Sequence, residues 1–262
     1  MKEFIKMILY QPLYNALIFL VWLVPGNNVG WAIIILTILV RLALAPSSMK
    51  SVRQQKRMQD LQPQIQALQA KYKGDQKKQS EALMEFYKVN KINPLGSCLP
   101  LLIQLPILII LYYVFINGLD TARFATLLYS WMPRPDAIQT VFFGIDLAQP
   151  DRWIMPIIAA ALQFFQSWQI MPKTKPQEGQ EMQAMMSKQM LFLMPIFTLF
   201  IAGRFPAALP LYWSVTTIAS IVQQWLVYRE KGPIQNDFKK LVENTKKTIK
   251  HGVEITVRRK GE

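Results

Sequence analysis

Long uncharged apolar runs alternate with dense basic blocks along this chain, and no other feature limits its fold as sharply. About 20 consecutive apolar residues are needed to cross a hydrocarbon core of roughly 30 Å. Such runs recur over residues 30–48, 94–117, 153–171, 189–203 and 207–228, and none of them contains an Asp or Glu. Hydrophobic residues make up 52% of the 262, against 18% charged, and the mean hydropathy is +0.16. That balance is too apolar for an ordinary soluble domain, and the pattern predicts an all-α polytopic membrane protein built on a five-helix bundle.

The net charge of +14 is distributed by segment. Lys and Arg number ten in 49–93, three in 172–188 and ten in 229–262. With five spans these segments share one side, giving 23 basic residues against six on the other, with Arg41 inside a span. Cytoplasmic segments carry the excess of Lys and Arg, so the C-terminus is expected in the cytoplasm and the N-terminus outside.

Between the spans, residues 49–93 are rich in Gln and Lys. Met58, Leu61, Ile65, Leu68 and Tyr72 recur at spacings of three and four, as do Leu83, Phe86 and Tyr87. The KGD at 73–75 separates the two stripes, so a helical hairpin with facing apolar seams is predicted in place of a solvated linker. Residues 118–152 form a loop on the opposite side, whose Tyr129, Trp131, Phe142 and Phe143 suit a bilayer interface. Residues 1–29 can be read in two ways. Phe4, Ile8, Leu9, Pro12 and Phe19 could share one surface of a helix lying in the interface plane, or the stretch could span. The interfacial helix is favoured, followed by a turn at PGNNVG. No small-x-small cleavage site follows it.

Arg41 carries the most information of any residue. On a helix rising 1.5 Å per residue it lies about 16 Å from Gly30 and about 9 Å from Ser47. A charge near the bilayer centre costs roughly 2.5–3.5 kcal/mol. It can snorkel to the cytoplasmic surface, or it can be solvated by water inside the bundle. No acidic side chain in any span can pair with it, which points to water. Thr37 lies one turn before it on the same face. Trp213, Thr217, Ser220 and Gln224 form a polar stripe on the last span at spacings of four, three and four. Gln163 and Gln166 lie three apart on the third span, and Gln104 sits in the second. Each alone would serve an interhelical hydrogen bond; together they are expected to wall a hydrophilic groove.

Cys98 and His251 are single, so no disulfide framework or His/Cys metal site can be built. No phosphate-binding loop occurs and no residues present themselves for catalysis. A chain that is not an enzyme, with no cofactor, is expected.

The stretches ILTILVRLALAP, LQPQIQALQ, KVNKINPLGSCLPLLIQLPILIILYYV and LPLYWSVTTIASIVQQWLVYR, in this order between residue 11 and about 230, resemble the YidC/Oxa/Alb family. The resemblance implies a membrane protein insertase of the bacterial plasma membrane, with an extracytoplasmic N-terminal helix and a groove open to the cytoplasm and to lipid. It places Arg41, Thr37 and Trp213 at groove positions. It implies nascent membrane proteins as substrates, and the lipid bilayer, the Sec translocon, the signal recognition particle with its receptor, and the ribosome as partners. The basic residues Lys246, Lys247, Lys250, Arg258, Arg259 and Lys260 could serve ribosomal RNA or anionic lipid, or topology alone. A minimal version, without the large extracytoplasmic domain and the lipoprotein cysteine found in parts of the family, is expected. Pro210 stands where many members carry an aliphatic residue.

Overall fold

The computed structural model describes residues 8, 10–90, 107–115, 127–171 and 181–229. Gln104, most of the second expected span and the basic tail lie outside them. The described residues are helical apart from one short two-stranded ribbon. They fall into two compact units.

The first unit begins with α1 (Gln11–Leu23), apolar on almost every side, with Pro12 at its first turn. Tyr14, Leu17, Ile18 and Val21 are fully buried, while Phe19 and Trp22 are exposed. A turn through Gly26 (φ +73°) and Asn27 (φ +50°) reverses the chain into α2 (Val29–Ala43). Asn28 caps that helix by accepting from the Gly30 amide at 2.9 Å, and donates to the Val141 carbonyl at 2.8 Å. α2 packs along α1, and both bury apolar faces against the helical segment 107–115 and the start of the last helix.

The first expected span, 30–48, bends. α2 stops at Ala43, and α3 (Ala45–Asp60) leaves at 69°. Pro46 in the first turn of α3 has no amide hydrogen to continue the α2 ladder, which accounts for the break.

The ribbon pairs β1 (Val141–Phe142) with β2 (Ile145–Asp146). Its surrounding loop is stitched to three helices. Asn15, 1% exposed, donates to Leu127 O at 3.1 Å and accepts from the Tyr129 amide at 2.8 Å. Val29 N donates to Gln139 O at 3.0 Å, and Gln139 N to Asn27 O at 3.0 Å. Ala207 N donates to Gln149 O at 2.8 Å, and Ala208 N to Leu147 O at 3.0 Å.

Asp151 then caps α6 (Ile154–Gln169): its carboxylate accepts from the Trp153 amide at 3.1 Å and the Met155 amide at 2.6 Å. α7 (Glu181–Ala202) starts eight residues before the expected fourth span. The sequence EMQAMMSKQM contains strong helix formers, so the polar loop expected over 172–188 is helical from Glu181 onward. α8 (Ala208–Arg229) closes the chain's described part, and the first unit takes it up to Val222.

The second unit holds α3 from Met49, α4 (Gln62–Lys71), α5 (Gln76–Val89) and the last turns of α8. The first arm of the expected hairpin is broken at Leu61, where a new helix begins with Pro63 in its first turn. Leu61, Ile65 and Phe86 are buried together, with Met58, Leu68, Leu83 and Tyr87 packed around them. Gly74 (φ +101°) makes the turn, and Asp75 caps α5 by accepting from the Lys78 amide at 3.1 Å. At the end of α8, Tyr228 Oη donates to Gln59 Oε1 at 2.6 Å and Lys56 Nζ to Val227 O at 3.2 Å, tying α3 to α8 within this unit.

Besides its apolar core, the first unit carries many apolar side chains on its outside. Ile38, Leu39 and Leu42 of α2, Ile154, Ile157 and Phe165 of α6, and Phe192, Leu193, Ile196, Phe197 and Phe200 of α7 are all exposed. Thr37, Thr198, Ser214, Thr216 and Thr217 are buried. Among the described residues no single helix is long and apolar enough to cross a membrane; α2 and α3 reach that length and composition only when taken together across their bend.

Candidate functional site

α2 positions Thr37 and Arg41 one helical turn apart on one face. Thr37 is 4% exposed, and its hydroxyl donates back to the Ile33 carbonyl at 2.6 Å. Arg41 is half-buried and, among the described residues, has no hydrogen-bonded or ion-paired partner. The Tyr212 phenol lies close enough to interact with its charge.

Beside them is a cavity of about 400 Å³, lined by Pro12, Leu13, Ala16 and Leu17 of α1, Ile33, Leu36, Thr37 and Val40 of α2, Ile107, Leu111 and Phe115, and Tyr212 of α8. Its walls are apolar except at Thr37 and Tyr212.

Three hydroxyls of α8 bond in the same way. Ser214 Oγ donates to Pro210 O at 2.8 Å, Thr217 Oγ1 to Trp213 O at 2.8 Å and Ser220 Oγ to Thr216 O at 3.0 Å. Each proton is spent on the helix's own backbone, four residues back. What remains outward is oxygen lone pairs, which accept from water or from a peptide N–H. Thr216 Oγ1 is buried with no partner among the described residues. Trp213 is half-buried. Gln224 is buried two turns beyond Thr217, in the part of α8 belonging to the second unit, and its Oε1 has no partner among the described residues.

Gln163 and Gln166 fare differently. Gln163 Oε1 accepts from Thr198 Oγ1, joining α6 to α7. Gln166, half-buried, lies one turn farther along α6. Gln104 lies outside the described residues. The residues brought together at the cavity edge are thus Thr37 and Tyr212, with Arg41 one turn beyond Thr37 on α2. Tyr212 escapes a reading built on the Trp213 stripe. The pair Tyr212 and Thr216, spaced by four, is the signal that would have found it.

Against known proteins, a model of the family described as 60Kd inner membrane protein matches residues 21–234. The chain belongs to that family. Among its relatives, the membrane protein insertase YidC of Stutzerimonas stutzeri is 39% identical over 205 residues, covering 78% of this chain and 33% of that protein. The proteins of the same name from Azotobacter vinelandii and Thiobacillus denitrificans are each 40% identical over 205 residues, with the same coverage of both chains. The chain spans about a third of the length of these curated relatives. The matched region takes in α2 with Arg41, the hairpin and all of α8.

Proposed function

We propose that the chain is a membrane protein insertase of the plasma membrane, with α2, residues 94–117, α6, α7 and α8 crossing the bilayer. The observation that carries this reading is the half-buried Arg41, without a hydrogen-bonded or ion-paired partner among the described residues, beside backbone-satisfied hydroxyls, in a unit whose α2, α6 and α7 carry many exposed apolar side chains. Kinship with proteins named membrane protein insertase supports it. α7 and α8, at 22 residues each, are about 33 Å long, enough for a hydrocarbon core. The same Thr, Ser and Gln residues that suit α8 to a groove wall lower its hydropathy.

In this mechanism a polar, often acidic, segment of a nascent membrane protein enters a groove from the cytoplasm. Arg41 donates to its carboxylates and carbonyls. Thr37, Thr217 and Ser220, whose protons are already committed, accept from its amide hydrogens. Gln166 and Gln104 extend the walls, and Trp213 and Gln224 continue the stripe along α8. An extended peptide carries one donor and one acceptor per residue, and leaving them unpaired in hydrocarbon costs several kcal/mol each. A groove offering both kinds of partner lowers that barrier, and burial of the client's apolar segment in lipid drives release. No nucleotide is required. The helical hairpin would receive clients or targeting factors. The basic tail, with Lys246, Lys247, Lys250, Arg258, Arg259 and Lys260, would meet the ribosome or anionic lipid, and the Sec translocon would share some clients.

The test places purified protein in protein-free liposomes with a single-span client bearing an acidic N-terminal tail. Protease protection of the tail above that in empty liposomes is expected with the unmodified protein, with a loss of several-fold for Arg41→Ala and retention for Arg41→Lys. Protection equal in all three proteins would remove Arg41 from the mechanism. Protection no better than empty liposomes would remove unassisted insertion.

A further inference from the structure

The β1–β2 ribbon closes through Phe143 and Gly144, with φ of +49° and +82°. A two-residue hairpin loop with both central φ angles positive is built for Asn-Gly, Asp-Gly or Gly-Gly. A bulky phenylalanine in the left-handed region is an outlier, and such strain persists where it serves a purpose. Here it holds the ring 81% exposed at the ribbon tip.

The ring belongs to a continuous aromatic surface. Phe143 meets Phe142 at 4.6 Å between centroids and Trp31 at 6.3 Å, and Trp31 stands edge-on to Phe142 at 5.3 Å. Phe142 is buried and forms the base; Trp31 and Phe143 face outward. Trp31 sits in the first turn of α2. Trp153, 69% exposed, directly precedes α6, and Trp131, 74% exposed, stacks on Tyr129. The hydrogen bonds from the 127–149 loop to Asn15, Val29 and Ala208 gather these rings at one end of the unit.

We infer that the Phe143 tip, with Trp31 and Trp153, is a lipid anchor that seats the ribbon in the boundary between headgroups and acyl chains where α2 and α6 begin. The inference rests on reading α2 and α6 as spans. A tryptophan in the first turn of a crossing helix lies at the interface, where aromatic rings concentrate. A ring in contact with that tryptophan shares its depth to within the contact distance. Phe143 has no hydrogen-bonding group, so it takes the apolar side of the boundary while the indoles take the polar side. The anchor fixes the depth of α2 from outside the groove.

Spin labels test this in reconstituted vesicles of phosphatidylethanolamine and phosphatidylglycerol, on the full chain with Cys98→Ser. Labels go at Phe143→Cys, at the exposed mid-α2 position Ile38→Cys and at the exposed hairpin position Lys77→Cys. Collision with oxygen reports lipid, and collision with a water-soluble nickel chelate reports solvent. The expected result is an oxygen-to-nickel ratio at 143 several-fold above that at 77 and approaching that at 38. A ratio at 143 equal to that at 77, with 38 in lipid, overturns the anchor alone. Ratios equal at all three positions overturn the span reading with it. Shielding of 143 from both reagents shows that protein covers the tip, and also overturns the anchor. A second variant separates function from fold. Phe143→Asn suits the turn better, so the ribbon remains folded, yet a label at Val141→Cys is expected to shift toward nickel; no shift in that background would count against the anchor.

Discussion

Gly30 is the second residue of α2, and Phe142 packs onto its bare Cα so closely that a Cβ would fall within the ring. Gly30→Ala therefore forces the ribbon away from α2. Overpacking of this kind costs about 1–3 kcal/mol, and a lower thermal midpoint in detergent is expected, with partial recovery on adding Phe142→Leu. The sequence announced the turn at PGNNVG but not this contact, because the ring comes from 112 residues downstream. Asn15 is equally hidden: in the sequence it reads only as a polar break in an apolar helix, whereas in the fold it clamps Leu127 and Tyr129. Arg41 and Thr37 were legible because a charge in an apolar run, with a hydroxyl one turn away, needs no tertiary information to stand out. Gln163 looked the same from its sequence, but its amide oxygen is occupied by Thr198 across to α7. Side-chain type identifies a polar group in an apolar helix; only packing decides whether it is already satisfied.

At the scale of elements, the hairpin offers a pH test. The Lys78 backbone amide, and then the Lys78 ammonium at 2.9 Å, hold the Asp75 carboxyl below its ordinary value of 3.8. A carboxyl depressed in the folded state stabilises the fold at pH values above its unfolded value, and that contribution is lost as the pH falls through the folded value. The α5 N-terminus is thus expected to hold from neutral pH down to about pH 4 and to fray in stronger acid. Amide-exchange protection of Lys78 and Gln79, normalised for intrinsic rate, measures this. Asp75→Asn retains the cap without the acid transition, and Asp75→Ala loses protection at every pH. The seam of this hairpin could be read from the spacing of Leu61, Ile65, Leu83 and Phe86. Its break at Leu61 could not, because Pro63 fits the first turn of a helix as readily as it marks an end. The two early turns of α7 were missed for a related reason: the hydropathy that finds a span ignores the helix propensity of the Met, Gln and Glu preceding it.

For the molecule as a whole, apolar runs and basic blocks made the all-helical class legible, since a bilayer dictates both hydropathy and the placement of charge. The bends were less so: the first expected span turns by 69° at Leu44. On the proposed mechanism, the electrical gradient acts on every client charge that is moved. An acidic tail passing outward gains roughly 2.3 kcal/mol per charge per 100 mV, more than tenfold in equilibrium. Imposing a potential, lumen positive, on the liposomes is expected to raise protection of a tail carried into the lumen steeply for a client with two carboxylates, less for one, and not for an uncharged tail. Protection independent of both client charge and potential would refute the electrical contribution.

The stitched loop bears on a different hazard. On the proposed mechanism, a groove walled by an arginine and oxygen lone pairs would invite water, and a file of water conducts protons. The chain between Leu127 and Gln149 is tied by hydrogen bonds to α1, to α2 and to the start of α8, so at that end these helices are held in register by main chain as well as by side chains. On that same proposal, loosening these ties, as by Asn15→Ala, is expected to leave insertion intact and to show first as proton leakage through the reconstituted protein, so that each inserted client would run down the proton gradient.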